Sequence, residues 1–336
     1  MKTRFLQIFL AFVLMSASCK KATVATYTPP VIPPVTVTNL ITLPAGWKVS
    51  TTLGNAYPAG IQVYEFDTIF QVKRLKAVCV AYDSKNANFE LKPALSATSI
   101  TPSAYAAAEP GITYATINGG YFGGGQSFSL VKYNNVVSSP NIKALTRVFN
   151  ATNTSYYPTR AAFGIISTGA PSAAWVYSVG AGNDNVFAYP APSPNLVNTA
   201  PQPVPTAAFP AGGGVWNTLS AIGGSPMLVY NSNIQITDNE ELIVIDNAGD
   251  RPRSAIGYTA SGIVMVMAVE GDNPPSYRGI NLPLMAELMR SMGNTHAVNL
   301  DGGGSTSLVI GGTRAVRPGD SGVESPVMSV VMIKRK

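Results

Sequence analysis

The chain has 336 residues, 46% hydrophobic and 12% charged, with a formal net charge of +6. Its basic residues are scattered without a basic run, which argues against a nucleic-acid binder, and so large an apolar share is enough to bury a substantial core. Two cysteines, Cys19 and Cys79, and a single histidine, His296, exclude a disulfide framework and a multi-histidine metal site.

Residues 1–18 have the pattern of a secretory leader: Lys2 and Arg4, an apolar run over 5–15, then Ser16-Ala17-Ser18 before Cys19. The run is too short to span a bilayer. A Cys directly after small residues resembles a bacterial lipobox, in which cleavage frees the Cys19 thiol and amine for acylation. Residues 19–40 are rich in Thr, Val and Pro, including Pro29-Pro30 and Pro33-Pro34, a stiff tether that cannot pack a core. The expectation is a lipid-anchored protein of the bacterial cell envelope, carrying one globular domain over 41–336.

Along that domain, alternation predicts strands at 61–67 and 75–82, the second burying Cys79 as an inert structural thiol. Thr101-Pro102 opens a short helix over 103–109, stopped by Pro110-Gly111. A strand over 112–117 delivers Asn118 to its C-terminal end, and further strands are expected at 162–167 and 174–179. Residues 189–210 contain seven prolines and no periodicity, so they read as an irregular surface loop. Gly223 and Gly224, within the strand-like stretch 221–229, are candidates to offer backbone donors to a pocket. Strands follow at 241–246 and 254–258. The unbroken apolar run 262–270 has the look of a central strand ending on Glu270. Asn281 caps a helix with Leu284, Leu288 and Met292 on one face, Met285 and Met289 alongside, and Gly293 as its stop. A strand over 327–333 closes the chain. The fold class expected is α+β: a β-dominated single domain with mixed sheets and a few packed helices.

The densest chemistry lies where an apolar strand delivers Asp301 into Gly302-Gly303-Gly304 and then Ser305, Thr306 and Ser307. Glycines free the backbone to approach a ligand, so three beside a carboxylate suit a polar or anionic group. Asn118-Gly119-Gly120 repeats the design of strand, polar residue and glycines, which suggests two walls of one site.

These stretches, Ile117-Asn118-Gly119-Gly120-Tyr121-Phe122, Arg251 to Gly257 (RPRSAIG) and Asn299 to Ser307 (NLDGGGSTS), resemble in that order the phosphodiester glycosidase family. The resemblance implies hydrolysis of a glycosyl phosphodiester. It places Asp301 nearest the anomeric carbon, Glu324 and Glu270 as base or stabiliser, and Arg253 on the phosphate. Asn118, Ser305 and Thr306 meet sugar hydroxyls, while Gly119, Gly120, Gly302, Gly303 and Gly304 line the substrate. Such chemistry needs support for an oxocarbenium-like carbon, an activated water or nucleophile, and an anion site for the leaving phosphate. Two positions depart from the family: Glu270 stands where relatives carry Asp, and Ser325 stands where they carry Arg after Glu324. Rival readings are a non-catalytic glycan-binding lipoprotein, and a metal-dependent phosphoester hydrolase with Asp301, Glu270 and Glu324 around Mg²⁺ or Ca²⁺.

Overall fold

The computed structural model describes residues 38–336. The leader, Cys19 and nearly all of the tether lie outside the described residues. Residues 39–336 form one compact unit. The strands assemble into an eight-stranded, a seven-stranded and a five-stranded sheet, with two short two-stranded ribbons.

The Ile263–Val269 strand explains the layering. It lies inside the eight-stranded sheet between Lys73–Asp83 and Arg253–Thr259, and every one of its residues is buried. Val264, Val266 and Ala268 enter a core shared with Ile117, Phe163 and Val331 from the other two large sheets. Ile263, Met265, Met267 and Val269 face a second core against the α2 helix, Leu282–Ser291. A strand covered on both faces has no polar side to alternate with, hence its unbroken apolar run. Cys79, fully buried in the neighbouring strand, has its thiol pushed far up by burial, as an inert structural cysteine should.

Three expectations need correction. Every strand pairing among the described residues is antiparallel, so no large sheet is mixed. A buried apolar run shows that both faces are covered and is silent on strand direction. The stretch 241–246 is not a strand: Glu241 turns inward and Leu242 takes a left-handed φ of 49°. Finally, the buried face of α2 is wider than the expected stripe: Leu288, Met292, Met285 and Met289 are buried as expected, Leu282 and Ala286 join them, and Leu284 is only partly covered. Its caps are as expected: Asn281 accepts from the Leu284 N–H, and Gly293 has φ 86°. The α1 helix, Pro102–Ala108, starts at the expected N-cap, Thr101, whose side chain accepts from the Ala104 N–H.

The five-stranded sheet carries one half of the glycine pattern. The Thr113–Asn118 strand lies between Leu308–Ile310 and Val327–Arg335, with Leu308 opposite Ile117 and Val330 opposite Asn118. The other half, the Asn294–Asn299 strand, belongs to the eight-stranded sheet. The two glycine turns therefore meet where these sheets face one another.

Candidate active site

Asn118 joins the two turns. It is fully buried, and its amide nitrogen donates to the Asp301 carbonyl at 2.7 Å. Its oxygen accepts from the Ser254 hydroxyl at 2.6 Å and the Ser307 N–H at 3.2 Å. The Asp301 N–H in turn donates to the Gly119 carbonyl at 3.1 Å. Asn118 therefore positions Asp301 and does not face a sugar, since all of its polar capacity is spent inside the protein.

The glycines before Tyr121 also serve close packing. A Cβ on Gly119 would lie 2.4 Å from Ser329 Oγ and 2.9 Å from the Ser329 carbonyl, and one on Gly120 would lie 2.2 Å from the Gly223 carbonyl. In the second turn Gly303 has a φ of 60° and open space beside it, whereas Gly302 approaches the Pro252 carbonyl and Gly304 packs on the Asp320 carboxylate. The Gly303 N–H is spent on the Pro252 carbonyl at 2.9 Å.

Asp301 sits half-buried at the tip of this arrangement. Burial pushes its carboxyl up from 3.8 to about 6, against the opposing pull of the Ser305 hydroxyl and the Gly302 N–H, which donates at 2.9 Å. A carboxyl that titrates near neutrality while remaining reachable is suited to acid–base or nucleophilic work.

Tyr121, the residue after the first glycine pair, stands over the same space. Its hydroxyl donates to the Ser225 carbonyl at 2.7 Å and accepts from the Asn299 amide at 2.7 Å. Burial, followed by the Asp301 charge, raises its pKa well beyond the ordinary phenol range, with Arg253 and Arg160 pulling the other way. Tyr121 is therefore a neutral hydrogen-bonding group between one carboxylate and two cations.

Both arginines are buried, and neither forms an ion pair among the described residues. Arg253 donates through Nε to the Ile280 carbonyl at 3.1 Å and through Nη2 to the Asp246 and Gly249 carbonyls. The Asp246 carboxylate pairs with Arg251 instead, at 3.1 Å. Arg160 donates through Nε and Nη2 to the carbonyls of Glu241 and Leu242, both at 3.3 Å. In each guanidinium Nη1 makes no hydrogen bond among the described residues and is not sealed from solvent. Burial lowers both pKa values, yet an arginine keeps its charge at neutral pH.

Behind Arg160 lies Glu241, fully buried and saturated by five donors: the N–H groups of Ala161 and Met227, the Trp175 indole, and the hydroxyls of Ser225 and Thr237. Burial raises its pKa. Its backbone and side chain together hold Arg160 and Ser225, the residue that orients Tyr121.

The other expected site residues are placed differently. The Glu270 carboxylate is bonded to Lys76 at 3.0 Å, to the Arg317 N–H at 3.1 Å and to Asn273 at 3.3 Å, which occupies it within the structure. Glu324 accepts from the Ser307 hydroxyl at 2.5 Å and from the Ser103 N–H at the start of α1, reaching Asp301 only through Ser307 and Asn118. Thr306 is fully buried, whereas Ser305 touches Asp301. Gly223 and Gly224 give their N–H groups to the Leu130 and Ala161 carbonyls and so offer no donors to a ligand. His296 stacks on Tyr258 at 4.9 Å. No group of three or more His, Cys, Asp or Glu among the described residues is placed to hold a metal ion. The donor set does not fit Mg²⁺ or Ca²⁺, because Asp301, Glu270 and Glu324 are each held by different partners.

Sequence reasoning passed over Tyr121, Arg160, Asn299 and Glu241. Tyr121 and Asn299 lie inside the glycine motifs and were open to notice. Arg160 and Glu241 carry no local pattern, because they lie 81 residues from each other and the other partners of Glu241 are spread from 4 to 80 residues away.

A carboxyl poised near neutral pH, neutral hydrogen-bonding groups and two cations without acidic partners define a site for a ligand with both hydroxyl and anionic groups. Residues 113–334 match the phosphodiester glycosidase family, and the chain belongs to it. It is 32% identical over 110 residues to mouse N-acetylglucosamine-1-phosphodiester alpha-N-acetylglucosaminidase, an alignment covering 30% of this chain and 21% of the mouse protein. With the human protein of that name it shares 41% over 68 residues, covering 20% of this chain and 13% of the human one. The matches thus span about a fifth or less of these relatives' length. The fold resembles the zebrafish N-acetylglucosamine-1-phosphodiester alpha-N-acetylglucosaminidase catalytic domain auto-inhibited by pro-peptide. The TM-score is 0.55 at 16% identity, covering 87% of this chain and 89% of that one. A hypothetical protein from Synechocystis is similar at TM-score 0.55 and 16% identity, covering 88% of this chain and 69% of the other.

Proposed function

We propose that this chain hydrolyses the C1–O bond of a sugar 1-phosphodiester, with N-acetylglucosamine as the first sugar to try, at the bacterial cell envelope where acylated Cys19 would anchor it. The observation that carries the reading is Asp301. It is the carboxylate held at the junction of both glycine turns and beside Tyr121, whose hydroxyl feels both the Asp301 charge and the charges of Arg253 and Arg160. Ionised, Asp301 stabilises positive charge developing at the anomeric carbon or attacks it. The leaving group departs as a phosphate monoester, already stable as an anion, so Arg253 and Arg160 can take its charge in place of a strong general acid. Ser305 is the hydroxyl-binding group beside it, while Tyr121, held by Ser225 and Asn299, supplies a fixed wall next to Asp301.

Attack at phosphorus would call for metal ions or several converging cations on the equatorial oxygens. A carboxylate at the centre favours a charging sugar carbon. Hydrolysis in ¹⁸O-labelled water distinguishes the two: label in the released sugar is expected, and label in the phosphate overturns the assignment. Absence of turnover over a panel of sugar 1-phosphodiesters, with retained binding, would favour a glycan-binding protein instead.

A further inference from the structure

Beyond the glycine turn, the loop over residues 314–322 borders an open cavity of about 480 Å³ lined by Lys76, Arg314, Val316, Arg317, Pro318 and Ser321 among others. Three cations line it and no carboxylate does. Lys76 is paired with Glu270 behind the loop, but Arg314 and Arg317 form no ion pair among the described residues. Among the described residues the Arg317 side chain has no hydrogen-bond partner, and its Nη1 is sealed from solvent. A guanidinium that spends no donor on protein while one of its nitrogens is withdrawn from water is costly, and an anion in the cavity offsets that cost by pairing with Nε and Nη2, which are not sealed.

The pocket is also built into the frame of the candidate active site. The Arg317 N–H is pinned by Glu270, and a Cβ on Gly319 would lie 3.0 Å from the Gly303 carbonyl, so this loop packs directly on the Asp301 turn. Asp320 packs against Gly304 and accepts from the Ser325 hydroxyl at 2.7 Å, turned away from the pocket's lining.

We infer that this cavity is an anion subsite taking a second phosphate, carried on the aglycone beyond the scissile one, so that the enzyme prefers polyanionic glycosyl phosphodiesters. The inference rests on the glycosidase reading of the neighbouring turn, and the experiment has two arms so that the two can fail separately.

In the first arm, inorganic pyrophosphate is titrated calorimetrically into the full chain at low salt, where charge attraction is least screened. Binding is expected to be the same in the wild type and Asp301→Asn, and weakened roughly fivefold or more in Arg314→Ala and in Arg317→Lys, which loses the planar fork. Equal binding by the wild type and the arginine variants, or no binding by the wild type, overturns the subsite. Arg314 is exposed, so its truncation does not endanger the fold.

In the second arm, KM is compared for sugar 1-phosphodiesters whose aglycone is methyl or 3-phosphoglyceryl. The second phosphate is expected to lower KM about tenfold in the wild type, and Arg314→Ala to erase that difference while leaving the methyl ester unaffected. Equal KM for the two substrates in the wild type, or equal loss on both in the variant, also refutes the subsite. Failure of the wild type to cleave either ester strikes at the glycosidase reading instead, while the pyrophosphate arm still decides the pocket.

Discussion

Asp301→Asn keeps the shape of the side chain and an oxygen for the Gly302 N–H while removing a charge that the fold disfavours. Burial raises this carboxyl from 3.8 to about 6. At roughly 1.4 kcal/mol per pKa unit, ionising it in the folded chain costs up to about 3 kcal/mol more than in the unfolded chain. Below about pH 3 both states are protonated and the term vanishes. It grows as pH rises toward 6 and is constant above that, so here stability falls with rising pH. Urea unfolding should therefore show Asp301→Asn more stable than the wild type by up to about 3 kcal/mol at pH 7.5, with the gap closing by about pH 3. The same ionisation should govern catalysis. The ionised fraction rises from about a tenth at pH 5 to about nine-tenths at pH 7, so wild-type kcat/KM should climb by nearly tenfold between them. The variant should lose turnover by orders of magnitude. A stability gap that does not change with pH, or a variant with near-normal turnover, would refute the assignment of Asp301 as a strained functional carboxylate.

Gly119→Val places a side chain against the Ser329 main chain, which cannot step aside, and should cost roughly 1–3 kcal/mol or more in denaturant melts and abolish activity; a folded, fully active variant would detach this turn from the site. Tyr121→Phe removes the hydroxyl that links Ser225 and Asn299, and should lower kcat/KM by about tenfold or more while costing only about 1–2 kcal/mol of stability. Unchanged kinetics would make Tyr121 a bystander. Glu241→Gln confronts five donors with one acceptor fewer, so a loss of roughly 2–4 kcal/mol is expected in the same melts, and a neutral result would contradict the hydrogen-bonding arrangement. Cys19→Ala should move the protein from the membrane fraction to the soluble one or leave its leader uncleaved; unchanged fractionation would remove the lipid anchor.

What the sequence displayed depended on how local each signal is. The run Ile263–Val269 declared a central strand because both of its faces are covered, and Asn281 and Gly293 declared the ends of α2 because caps are made within a turn. The glycine motifs announced close backbone approach, but not what approaches. At Gly119 it is Ser329 of the closing strand, a contact that only the sheet register creates. Asn118 looked like a ligand-facing amide and is an internal tie, since its partners Ser254 and Ser307 are 136 and 189 residues away. Glu241 at the head of an apolar run read as the start of a strand, while the physical fact about it is a desolvated carboxylate that calls donors from four separate segments. Pairing of that kind has no periodicity to read.

The Asn118 tie carries a mechanical consequence. One of its bonds is to Ser254 in the eight-stranded sheet, and its own strand belongs to the five-stranded one, so the amide works as a rivet between two plates with Asp301 fixed at the same point. A slip of one plate over the other moves the carboxylate as far as it moves the rivet. Activity is then a gauge of interlayer alignment, and substitutions at the sheet interface, such as Val264 or Ile333, should register in turnover before they register in secondary structure. Exposed loops that do not pack on the Asp301 turn can change length or charge without shifting that rivet, which under the proposed function leaves them free to alter which ligand is held while Asp301 stays where it is.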